Sequence, residues 1–297
     1  MFTTPPPSGG AALMFIINIM KGYDINPCEA CTPDEALLWH HRLMEATKFA
    51  LTHHSQLADD NVVHVQEVLE NMTSEGYAEE VRLKINDSRT QDEDYYGCVR
   101  KYPDIDGTSH VSVIDQYGNG LALTSSINSY FGSGVYGSRT GIIFNDGMNN
   151  FLNIDKADDR MVAKQSAISP GKRPLSAKSP AIFTDQTGNI KLVVGSAGGI
   201  KIIPTNAMIA MDTLWFNRDI EYAVTKPRLS YSYITGAVLC ENTFDEDIAD
   251  GLRKLGHNVK QASGMKIFSV ANAILRKGDG LYTSPDNRKP GGYPAGF

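Results

Sequence analysis

Thr108 directly follows an Asp-Gly pair and opens an alternating stretch, so that residues 104–112 read Asp-Ile-Asp-Gly-Thr-Ser-His-Val-Ser. A Thr hydroxyl placed after glycine can reach the Gly107 carbonyl, because glycine tolerates the strained dihedrals that an N-to-O acyl shift demands. Hydrolysis of the ester so formed would free a new N-terminal Thr. Its α-amine titrates near ~7.7–8.0 in reference peptides and can take the proton of the same residue's hydroxyl, which makes one residue both nucleophile and base. A loop glycine before a β-branched strand residue gives the same dipeptide without chemistry. The surroundings of Gly107 and Thr108 decide between the two.

Acyl transfer also needs donors aimed at an oxyanion. Val194-Gly-Ser-Ala-Gly-Gly follows an apolar run and precedes a helical one, so its consecutive N–H groups can form an anion nest, or simply a tight strand-to-helix connection. No Lys-Ser/Thr follows, which excludes a Walker loop. Thr124-Ser-Ser-Ile-Asn128 sets hydroxyls and an amide on the second strand of a hairpin beside Thr108, or is an ordinary polar strand face. His110 alternates with Val111 and reads as a structural histidine. His40-His41 and His53-His54 lack a third ligand at metal-binding spacing, so no metal is expected. Cys28-Glu-Ala-Cys31 lacks the second ligand pair of a zinc site and reads as a loop pair, with Cys98 and Cys240 standing alone. Asp286-Asn-Arg288 reads as an ion-paired loop ordering the final Gly/Pro-rich segment.

From Thr108 onward the chain runs TSHVSVIDQYGNGLALTSSINSYFGS, then TGIIFNDGMNNF, PGKRPLSAKSPAIF, VVGSAGG and SPDNRKPGGYPAGF. In order and spacing this resembles the small subunit of the γ-glutamyltransferases (γ-glutamyl transpeptidases). PPPSGG at 5–10, HHRLMEATKFA at 40–50 and NMTSEGYAEEVRLKI at 71–85 resemble the C-terminal part of that family's large subunit. The resemblance therefore covers essentially the whole chain. It implies an α+β fold, the four-layer αββα sandwich of N-terminal nucleophile hydrolases. Residues 1–107 and 108–297 would be separated by autocleavage at Gly107-Thr108 yet form one structural domain. By position it makes Thr108 the nucleophile, Ser126 the hydroxyl bonded to it, and Gly198 and Gly199 the oxyanion hole. Asn128 and Ser176 would hold the donor's α-carboxylate and Asn150 its α-ammonium, with no cofactor.

The motifs also depart from the family. Glu or Gln stands there at the Gly147 position, Asp at Asn150 and a second Ser at Ala177. Asn150 can accept through its amide oxygen but brings no negative charge. The family Arg that pairs with the α-carboxylate belongs to a longer N-terminal portion of the precursor, outside the stretch matched here. Each hydrogen bond to a charged group is worth ~1.5–3 kcal/mol, so losing two weakens the grip on a γ-glutamyl head by ~3–6 kcal/mol. The expected function is transfer of the γ-glutamyl group of glutathione or its conjugates to water, an amino acid or a dipeptide. The alternatives are a non-catalytic binding or regulatory relative, or an amidohydrolase for another acyl donor.

Positioning this chemistry requires two packed sheets with helices outside them. The sequence predicts a buried helix in the apolar run 11–20, which is too short to span a bilayer. Thr32-Pro-Asp-Glu predicts a capped helix to about Leu51, a second helix covers 74–85, and residues 86–107 read as a long exposed loop. Strands follow at 109–114, 121–127, 141–144, 181–184, 190–194 and 266–275, with helices at 204–216 and 245–255. With 34 acidic against 28 basic side chains, a net charge of −6 and no basic cluster, nucleic acid is not an expected partner. Small-molecule donors and acceptors, the chain's own cleaved fragments and an N-terminal segment are. The family faces the cell exterior, where the sequons at Asn71 and Asn86 would be glycosylation sites.

Overall fold

The computed structural model describes residues 1–23, 32–97, 107–151, 167–262, 269–289 and 292–296. Strand β1 (Phe2–Thr3) leads into α1 (Gly10–Lys21), the predicted apolar helix, in which Leu13, Phe15, Ile16, Ile19 and Met20 are fully buried. A helix apolar on all sides belongs inside a core. Thr32 caps α2 (Pro33–Ser55): its hydroxyl accepts from the Glu35 N–H at 3.3 Å, and the Glu35 carboxylate accepts from the Thr32 N–H at 3.1 Å. This is the reciprocal cap expected from the sequence, and the helix continues past Leu51. Between α2 and α4 (Glu75–Lys84) lies α3 (Gln66–Thr73), which no side chain caps and no sequence signal announced.

The hairpin of β2 (Gly107–Ile114) and β3 (Gly120–Asn128) is antiparallel, with Thr108 opposite Ser126 and His110 opposite Thr124. The chain continues through β4 (Ala181–Thr184), β5 (Ile190–Ala197), α5 (Ile202–Leu214), α6 (Ile220–Thr225), β6 (Leu229–Ser232), β7 (Ala237–Cys240), α7 (Glu246–Lys254), β8 (Val259–Gln261), β9 (Val270–Lys277) and β10 (Gly280–Thr283). A five-stranded sheet has the order β1-β4-β5-β9-β10, and β6-β7-β8 form a smaller one.

Side chains alternate across β5 and β9 with the two-residue period of a strand. Leu192, Val194, Ala271, Ala273 and Leu275 join the apolar core under α5, against which α1 packs. Gly195 and Asn272 face the hairpin instead: a Cβ on Gly195 would lie 2.2 Å from the His110 ring, and Asn272 donates to the His110 carbonyl at 2.9 Å. The hairpin is thus a second sheet packed on the first, with helices on the far side. Its outer face carries Val111, Val113, Leu121 and Leu123, all exposed.

Residues 141–144 form no strand; an isolated bridge joins Tyr136 and Ile143. Nor is the stretch from residue 86 wholly an exposed loop. Glu93–Tyr96 form a 3-10 turn that buries Tyr96, whose hydroxyl donates to Glu45 at 2.6 Å. The rest of that stretch from 98 to 106, Cys28, Cys31 and Cys98, and the strand start expected at Lys266 lie outside the described residues. Among the described residues no helix is long and apolar enough to cross a membrane.

Candidate active site

Ser126 stands between the Thr108 hydroxyl and the Gly107 carbonyl. The Thr108 hydroxyl donates to Ser126 Oγ at 3.1 Å, and Ser126 Oγ donates to the Gly107 carbonyl at 3.1 Å while accepting from the Asn128 N–H at 2.9 Å. The register slips between Gly107 and Thr108, a local bulge that breaks the regular ladder at that bond. Gly107 is obligatory on steric grounds, since a Cβ there would lie 2.2 Å from the Ser129 carbonyl oxygen and 2.5 Å from that of Asn128.

Thr108 and Ser126 line an open cleft. Asn128, Asn150, Ser176, Ala177 and Gly199 also line it, so residues that the sequence scatters over 92 positions meet in one place. Asn128 is buried with φ 78° and donates from its amide to the Asp146 carbonyl at 3.1 Å. The Asp146 carboxylate accepts from Ser129 N–H and Oγ and from the Asn149 amide, stitching the end of β3 to the 3-10 turn Gly147–Asn150. Gly198 and Gly199 both adopt left-handed φ, 139° and 60°, between β5 and the 3-10 turn that opens α5. That connection presents backbone N–H groups at a helix start, where the dipole favours an anionic oxygen. Gly198 itself is not among the residues that line the cleft; a Cβ there would lie 2.6 Å from Ser269 Cα.

Ser176 is positioned through its backbone. Its N–H donates to Pro7 at 2.8 Å and its carbonyl accepts from His54 Nε2 at 3.1 Å. The segment is pinned at Arg173, whose N–H, Nε and Nη2 all reach the buried Asp59 carboxylate at 2.7–3.1 Å. Those bonds hold the Asp59 carboxyl well below the usual range, against the opposing effect of burial. His54 and Lys178 also line the cleft; sequence reasoning weighed His54 only as a metal ligand and passed over Lys178. Lys178 lay in plain view two residues after Ser176, but nothing in the string says where its side chain goes.

The other candidates fall elsewhere. His110 lies between the sheets, Nδ1 2.8 Å from Thr124 Oγ and Nε2 3.0 Å from Ser112 Oγ. Asp286 and Arg288 are ion-paired as expected, Asp286 to the buried Arg228 and Arg288 to Glu241. The folding of α2 brings His41 and Glu45 against His257 within 4.8 Å, a grouping that sequence spacing did not reveal. The cation there is Lys48, 3.1 Å from Glu45 and 3.3 Å from His257 Nδ1, while His41 Nδ1 and His257 Nε2 bond one another at 2.8 Å. Cys240 is a buried free thiol. Asn86 is exposed and Asn71 partly buried in α3, both outside the residues that line the cleft.

The γ-glutamyltranspeptidase family model matches residues 1–296. Glutathione hydrolase 2 of Arabidopsis thaliana is 34% identical over 314 residues, which cover 99% of this chain and 53% of that protein. The structure of cephalosporin acylase from Bacillus halodurans shares the fold, with a TM-score of 0.77 at 22% identity over 96% of this chain and 49% of its own. The T380A mutant of Helicobacter pylori γ-glutamyltranspeptidase gives a TM-score of 0.54 at 30% identity, over 61% of this chain and 99% of its own. The chain spans about half the length of the curated relatives it matches. With a match from end to end and the α+β architecture of the N-terminal nucleophile hydrolases, the chain belongs to the γ-glutamyltranspeptidase family.

Proposed function

We propose that this chain cleaves itself before Thr108 and then acts as an N-terminal-threonine acyltransferase and hydrolase on γ-glutamyl-type amides, glutathione and its conjugates among them. The observation that carries the reading is the Ser126 bridge between the Thr108 hydroxyl and the Gly107 carbonyl. Thr108 Oγ adds to that carbonyl, the Gly107–Thr108 C–N bond breaks, and the nitrogen takes up the hydroxyl proton. Water then hydrolyses the ester to a Gly107 carboxylate and a free Thr108 amine. In turnover the same Oγ attacks the donor amide, its proton passing through the α-amine to the leaving amine. Water or an acceptor amine resolves the Thr108 ester. N–H groups of the Gly198–Gly199 connection would stabilise each oxyanion, and Asn128, Asn150 and Ser176 would hold the donor's head.

Two comparisons support the reading. One matched relative is named a glutathione hydrolase. The Helicobacter chain, almost complete in its match, corresponds to 61% of this one, and residues 108–297 make up about 64% of it. The test is intact mass and N-terminal sequencing beside a Thr108→Ala control. A fragment beginning at Thr108, absent from the control, together with release of p-nitroaniline from an acyl anilide, supports the proposal. A folded chain that never splits would favour the binding or regulatory reading. A cell-surface or extracellular location, with a glycan on the exposed Asn86, belongs to the same proposal; endoglycosidase treatment of the protein from its native source tests it.

A further inference from the structure

Lys178 lines the cleft, and among the described residues that line it with Lys178 there is no Asp or Glu. Among the described residues its ammonium makes no ion pair and no side-chain hydrogen bond. Burial acts on it uncompensated, lowering its pKa from the ordinary lysine value. Asp146, the acid bonded to Asn128 through its carbonyl, turns its carboxylate oxygens to Ser129 and Asn149. Asn150, which lines the cleft, is neutral, and Gly147 does not line it. A partly desolvated cation without a counterion costs free energy that a bound anion recovers. A second cation brought near it meets repulsion weakly screened by the protein.

We propose that Lys178 determines donor specificity, selecting acyl groups whose head is a carboxylate with no ammonium beside it. Glutaryl amides, which match γ-glutamyl amides in carbon skeleton but lack the α-amine, are the simplest such donors. The lysine would bind the carboxylate with the Ser176 hydroxyl and Asn128 beside it. The turnover readout of this inference rests on the acyl-transfer reading above, whereas its binding readout does not.

The experiment uses the purified protein and its Lys178→Met variant, whose thermal unfolding is checked first; Lys178 is partly exposed and buries no partner. Calorimetric titration compares glutarate with L-glutamate, and kinetics compare glutaryl- with γ-glutamyl-p-nitroanilide. The expected result is at least tenfold tighter binding of glutarate than of glutamate by the unaltered protein. Lys178→Met should abolish most of that difference, and among the anilides the loss should fall on KM more than on kcat. Glutamate binding as tightly as glutarate, equal glutarate affinity in the variant, or no binding of either acid would overturn the assignment. Lysine-dependent glutarate binding with no turnover of either anilide would support it while sinking the acyl-transfer reading.

Discussion

Replacing Ser126 with Ala leaves three groups without their partner: the Thr108 hydroxyl, the Asn128 N–H and the Gly107 carbonyl. In the proposed cleavage the Gly107 oxygen would gain negative charge, and the Ser126 hydroxyl is the donor already 3.1 Å from it. Removing one such preorganised donor costs a factor of ~10²–10³, or ~2.7–4 kcal/mol of activation free energy. The Asn128 N–H, on a residue only 6% exposed, adds ~1–3 kcal/mol of ground-state destabilisation if no water replaces the hydroxyl. The Ser126→Ala protein should therefore fold with a modestly lower melting temperature and cleave ~10²–10³-fold more slowly. Ser126→Thr keeps the hydroxyl and should stay within ~10-fold of the original rate. The assay follows the appearance of the Thr108-initiated fragment by intact mass. Ser125→Ala, an adjacent hydroxyl on the exposed face of β3, is the control and should cleave normally. If Ser126→Ala also cleaved normally, the bridge would be a crossing of side chains without influence on the scissile bond.

Gly107→Ala should be more damaging than its size suggests, because the new methyl meets two carbonyl oxygens at 2.2 and 2.5 Å; we expect cleavage to fall at least ~10-fold, read by the same mass assay, with normal cleavage refuting the steric account. His110 predicts a pH dependence of stability. Burial between the sheets lowers its pKa to about 4, so the unfolded chain takes up a proton near the ordinary value of ~6.5 while the folded one does not until about 4. Stability from this group is complete above pH ~6.5 and is lost as pH falls toward 4, by up to ~1.4 kcal/mol per pH unit. His40 and His257, lowered to about 4 and about 2 chiefly by burial, act with the same sign. In urea melts between pH 7 and 4.5, His110→Asn should thus reduce the slope by about one proton without abolishing it. An unchanged slope would show that His110 is already protonated in the fold.

Local chemistry made some of this molecule legible and tertiary contact hid the rest. The start of α2 could be read because Thr32 and Glu35 satisfy each other's backbone over three residues. α3 could not, since Val65 stands at its cap without a side-chain bond. The hairpin and the cleft residues Thr108, Ser126, Asn128, Asn150 and Ser176 followed from motif order, and the structure brings them together. Strands β6 to β8, of three or four residues each, carry too little alternation to stand out. Tyr96 sits in a polar stretch that composition reads as loop, and only the position of Glu45 on α2 explains its burial. His41 and His257 are 216 residues apart in the chain, beyond any spacing rule.

The hairpin shows why a fold would keep a polar layer where apolar burial is available. Thr108, His110, Ser112, Thr124 and Ser126 face inward, while Val111, Val113, Leu121 and Leu123 face outward. An apolar interface would hold β2 against β9 with little preference among neighbouring registers. The hydrogen bonds of Asn272 with His110 and Ser112, and of His110 with Thr124, close only in one. A slip of one residue would turn Thr108 and Ser126 to the outer face and end the Ser126 bridge to Gly107. Gly195 completes the arrangement, since any side chain there would displace the His110 ring. The polar layer trades hydrophobic stabilisation for register, and register is what puts the Thr108 hydroxyl at the mouth of the cleft.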